Sequence, residues 1–98
     1  MTRAAMEAAK TILQQAKSSL SRRLGALERA VVEDDLEVTR VRLSECKLSF
    51  GELESAHDKY HVMLSIKEEL EESEFWFSDV EQNYITVLKA ARMYVSGR

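Results

Sequence analysis

No proline interrupts the 98 residues, and glycine occurs only at Gly25, Gly51 and Gly97. Hairpins and turn-rich β folds need both residues at their reversals. A chain so poor in punctuation folds as long helices with few connections. Apolar residues make up 45% and charged residues 32%, which excludes a disordered polar tract. No apolar run approaches the roughly 20 residues that span a bilayer, so no membrane partner is expected.

The apolar positions recur at helical spacing. Ala9, Ile12, Leu13, Ala16, Leu20, Leu24, Leu27 and Val31 form one face of a first helix over about 4–32. Asp34-Asp35 then offers an N-cap, with Glu37 as the reciprocal member of a capping box. Such a short turn makes the next helix antiparallel. That helix, about 35–69, carries Leu36, Leu43, Cys46, Phe50, Leu53, His57, Tyr60 and Leu64 on one stripe. Val41, Leu48, Met63, Ile66 and Leu70 form a second stripe opposite, and a helix apolar on two sides requires two neighbours. Gly51 lies mid-helix, where it costs roughly 1 kcal/mol relative to alanine.

Five glutamates between Glu68 and Glu74 repel one another and point to a break, with Ser73 as the next N-cap. A third helix over 73–96 presents Trp76, Phe77, Val80, Tyr84, Val87, Leu88, Ala91, Tyr94 and Val95 on one face, and Gly97 stops it. The expectation is an all-α fold: three long antiparallel helices in an elongated bundle or coiled coil, with residues 1–98 as one domain. Its core is expected at Leu20, Leu24, Leu27, Leu43, Phe50, Leu53, Tyr60, Leu64, Trp76, Val80, Tyr84 and Val87. Sandwiching of helix 2 between helices 1 and 3 is one way to cover its two stripes.

The net charge of −3 is unevenly spread: residues 1–31 carry +4 and the remainder −7. A basic helix lying against acidic ones accounts for this, while the absence of aromatics among the arginines argues against nucleic-acid binding. The N-terminus lacks the apolar stretch of a secretory signal, and Cys46 is the only cysteine, so an intracellular, reducing cytoplasmic address is expected.

Chemistry-bearing motifs are sparse. His57 and His61, four residues apart, can reach one metal ion, but no third ligand accompanies them. Cys46 is three turns from His57, too far for that imidazole to activate its thiolate. There is no phosphate-cradling glycine loop and no nucleophile elbow. No catalytic, cofactor-binding or metal-ligating residue is assigned, and no cofactor is expected.

The segments LSRRLGALERAV (20–31), RLSECKLSFGELESAHDKYHVML (42–64) and EESEFWFSDVEQNYITVLKAARMYV (71–95) resemble the helical Gag-like region of BEL/Pao-type LTR retrotransposon polyproteins. The resemblance rests on the arginine and leucine rhythm of the first helix, on Phe50, His57 and Tyr60, and on Phe75, Trp76, Phe77 and Tyr84. It implies a non-enzymatic assembly module in an element's polyprotein or in a domesticated copy, with no catalytic residue to carry over.

The excess of apolar positions points to protein partners, this chain itself foremost, through Val41, Leu48, Met63, Ile66, Ile85 and Met93. Two alternatives are a coiled-coil adaptor that binds a partner helix in a groove, and a nucleic-acid-binding domain using Arg22, Arg23, Arg29, Arg40 and Arg42.

Overall fold

The computed structural model describes residues 3–97. Within them the chain forms α1 (Arg3–Val32), α2 (Leu36–His61) and α3 (Lys67–Ser96), and no strand. The helices run up, down and up, each touching both others, in a body with principal extents of 51 × 20 × 15 Å. Helix α2 is therefore not sandwiched; α1 and α3 also meet.

The first reversal is set by one backbone conformation. Asp34 adopts φ 58°, in the left-handed region. The Asp34 amide donates to the Val31 carbonyl and the Asp35 amide to the Ala30 carbonyl, the paired bonds of a Schellman motif. Aspartate tolerates this region better than most side chains. The Asp35 carboxylate then caps α2, accepting from the Val38 amide at 3.1 Å. The anticipated capping box does not form. Glu37 stands one residue short of the reciprocal position, and the Asp35 amide it would meet is already bonded to Ala30. Glu37 instead places negative charge in the first turn of α2.

Between α1 and α2 the seam pairs leucines with small residues. Leu13, Leu20, Leu24 and Leu27 are buried on α1, and Thr39, Cys46, Ser49, Leu53 and Ala56 on α2. Small side chains let the two helices approach closely along their length. The Thr39 hydroxyl is satisfied by the Asp35 carbonyl at 2.7 Å, whereas the buried Ser49 hydroxyl has no hydrogen-bond partner.

The second reversal differs from the expectation. α2 ends at His61 rather than near residue 69, and α3 begins at Lys67 rather than 73. Amides of Met63 and Leu64 bond to the carbonyls three residues back, tightening the last turn. This carries Leu64 inward, where it is buried. Ile66 enters α3 in an extended conformation without a side-chain cap. Glu68 and Glu69 occupy the first turn of α3, where the helix dipole favours them, so the glutamate run continues a helix instead of breaking one.

Of the expected core, Leu20, Leu24, Leu27, Leu53 and Leu64 are buried. Leu43, Phe50, Tyr60, Trp76, Val80, Tyr84 and Val87 are half-buried and packed against the buried cluster. A bundle this thin cannot enclose large aromatic rings, which fill the clefts between helices instead. Two substitutions should move stability in opposite directions. Leu53→Asp places an unpaired charge at a fully buried site and should abolish the thermal transition. Ser49→Ala removes an unsatisfied hydroxyl and should stabilise the fold by about 1 kcal/mol in chemical denaturation.

Candidate functional site

The main convergence of polar side chains lies between α2 and α3. His57 Nε2 is 3.2 Å from the Ser73 carbonyl oxygen and 2.9 Å from Ser73 Oγ. A carbonyl only accepts, so Nε2 carries the proton and donates. Ser73 Oγ, having accepted from His57, donates its own proton to His61 Nδ1 at 3.0 Å. His61 Nε2 then carries a hydrogen and faces Glu74 Oε1 at 3.7 Å. His57, Ser73 and His61 thus form one directed chain, with Glu74 beyond hydrogen-bond reach at its end.

Ring stacking reinforces it. His57 lies 4.6 Å from Phe77 and 6.1 Å from Trp76, while Phe50 stacks on Tyr84 at 4.1 Å and approaches Phe77 at 5.9 Å. His57 and Ser73 are both buried. The histidine nitrogens that might share a metal are turned onto the Ser73 hydroxyl, which fills the space between them. Ser73, expected to cap the third helix, sits inside α3 and joins it to α2. At the opposite end, the Tyr94 hydroxyl donates to Asp34 Oδ1 at 2.7 Å and ties the end of α3 to the α1–α2 turn.

Cys46 is fully buried, and burial pushes its thiol up from an ordinary value of 9.0 to about 11, with neighbouring Glu45 acting in the same direction. The thiol stays protonated at neutral pH, which suits a packing residue. Burial also raises the Tyr84 phenol.

The surface presents a second kind of candidate, open apolar grooves. One runs between α1 and α2, lined by Ile12, Leu48, Gly51, Ala56 and the stems of Lys47 and Lys59. Another follows α3, lined by Tyr84, Ile85, Leu88 and Met93. Of the residues expected to mediate self-association, Val41, Leu48, Ile66, Ile85 and Met93 are 57%, 67%, 52%, 48% and 66% exposed. They do not form one patch. Leu48 belongs to the first groove, Ile85 and Met93 to the second, and the linings of the two share no residue. Met63, half-buried, and Ile66 lie in the α2–α3 turn instead of on α2.

Sequence reasoning missed Ile12 and Val62. Ile12 was assigned to the inward face of helix 1 but is 57% exposed, because the neighbouring Leu13 takes the buried position. Val62, 72% exposed, follows Leu48 by two heptads, a spacing that was legible.

No protein-family model, curated protein or solved structure matches the chain.

The histidine chain yields a stability prediction. Ser73→Ala leaves His61 Nδ1 without its partner and His57 Nε2 with the residue 73 carbonyl alone, and should destabilise the fold by about 1–3 kcal/mol, measured by denaturant unfolding. An unchanged unfolding midpoint would mean that Ser73 does not join α3 to α2.

Proposed function

We propose that this chain is a non-enzymatic helical assembly module that works by self-association, as the resemblance to Gag-like retroelement regions implies. The observation that carries the reading is the exposed apolar surface of α2 beside Ile12. Monomers rarely leave large aliphatic side chains exposed in line along a helix, because transfer of each from water is favourable by roughly 1.5–3 kcal/mol on full burial. The polar cluster is consistent with this. Ser73 Oγ is buried between two imidazoles and hydrogen-bonded to both, which ties α3 to α2.

An adaptor that binds a foreign helix in the α1–α2 groove is the runner-up, favoured if the chain stays monomeric. Nucleic-acid binding has less support. Arg23 reaches the Glu45 carbonyl at 3.4 Å and Arg42 pairs with the Glu45 carboxylate at 2.7 Å, so two of the five arginines are engaged within the bundle. Among the described residues no helix is long and apolar enough to cross a membrane.

Light scattering over a concentration series tests the reading. The mass should rise from the 11.2 kDa of one chain toward at least twice that value. A constant monomer mass at high micromolar concentration would refute self-association.

A further inference from the structure

Resting on the self-association reading, the geometry points to a specific interface: the outward stripe of α2 pairs antiparallel with the same stripe of a second copy, about a two-fold axis near Gly51 and Glu52.

The stripe is regular. Val41, Leu48 and Ser55 on α2 and its C-cap Val62 follow one another at intervals of seven, and the three aliphatic members are 57%, 67% and 72% exposed. Seven residues turn an α-helix through nearly two full turns, so these side chains stay in line along about 32 Å, drifting only slowly around the axis. α1 packs on one side of α2 and α3 on another, and both leave Val41, Leu48 and Val62 more than half exposed, with Ile12 of α1 bordering Leu48 across the groove. A seam of this spacing is the one a partner helix fits by knobs-into-holes packing.

Gly51 supplies an independent observation. A glycine in the middle of a helix is conformationally unfavourable, so it is expected where something must come close. Within this chain nothing does: a Cβ built at Gly51 meets no atom within 4 Å, as is also true of Gly25 in α1. The missing side chain serves no contact of the monomer. It lies at the midpoint of the stripe, where two helices crossing about a two-fold axis would approach most closely.

Charge on the flanks of the stripe suits a second copy of the same helix. Reversing α2 about the midpoint between residues 51 and 52 sets Val41 opposite Val62 of the second copy, and Leu48 opposite Ser55. On one flank Lys47 then comes level with Ala56 of the other copy, two residues or about 3 Å from Asp58, twice by symmetry. On the other flank Lys59 comes level with Ser44, one residue from Glu45, whose carboxylate Arg42 already holds at 2.7 Å. Glu52 is the opposing contact, since it meets its copy beside the axis; the open space over Gly51 gives it room to turn away.

Three variants of the full chain, measured with wild type by sedimentation equilibrium, test the interface. Gly51→Ala should raise the melting temperature of the dilute monomer by roughly 4–8 °C, because alanine is the better helix former and has room in the monomer. The same change should weaken dimerisation about tenfold or more, because the close approach is lost. Lys47→Glu should weaken it about tenfold by setting acid against Asp58 of the other copy. Adding Asp58→Lys to that variant should restore the wild-type dissociation constant to within about threefold.

A folded Lys47→Glu, Asp58→Lys variant no tighter than Lys47→Glu alone would overturn the antiparallel pairing. So would a Gly51→Ala protein that dimerises as wild type does. In either case a dimeric wild type leaves the self-association reading intact with its interface elsewhere. A wild type that is monomeric at high micromolar concentration removes both.

Discussion

Close approach of α1 and α2 is the constraint on which the rest of this structure depends. Their seam sets leucines of one helix against Thr39, Cys46, Ser49 and Ala56 of the other, and only small side chains allow that distance to hold along the helices. The turn that starts it is equally specific. Asp34 takes the left-handed conformation, closes two Schellman bonds and receives the Tyr94 hydroxyl, while Asp35 caps α2. Two consecutive aspartates thereby end one helix, begin the next and hold the third.

α3 is attached differently. Its buried anchors are Leu88 and Ala91, and the remaining contacts are rings in clefts: Phe50 between Phe77 and Tyr84, and His57 over Phe77. Aromatic pairs of this kind contribute roughly 0.5–1.5 kcal/mol beyond burial. Their geometry is held by Ser73 near one end of the helix and Tyr94 near the other. With its inner faces occupied in this way, α2 and its C-cap still leave a line of Val41, Leu48 and Val62 exposed, and that line carries the proposed function.

Helix class, helix number and the first turn were legible because each rests on local chemistry: apolar spacing, the absence of proline, and Asp34-Asp35. The buried leucines Leu20, Leu24, Leu27, Leu53 and Leu64 were readable for the same reason. The second turn was not. Val62 to Ile66 contains neither glycine nor proline, and its reversal depends on Leu64 turning into the core, a tertiary event. The glutamate run and Ser73 looked like a break followed by a cap. In three dimensions the first glutamates suit the dipole at the start of α3, and the Ser73 hydroxyl is needed by two histidines of α2. The same shift took Met63 and Ile66 off the helix to which periodicity had assigned them, so the candidate surface was only partly readable. The charge contrast along the chain was real in the sequence, yet among the described residues the Lys/Arg–carboxylate ion pair is Arg42 with Glu45, within α2.

The central claim is that copies of this chain lie side by side along α2. Small-angle X-ray scattering at low and high concentration measures that arrangement directly, because it reports the length and thickness of the particle together. Side-by-side pairing about the middle of α2 predicts that the scattering mass doubles while the longest dimension stays close to the 51 Å extent of one chain. A doubling of mass accompanied by growth toward twice that length would contradict it, as would a radius of gyration fixed at the single-chain 15.6 Å at every concentration.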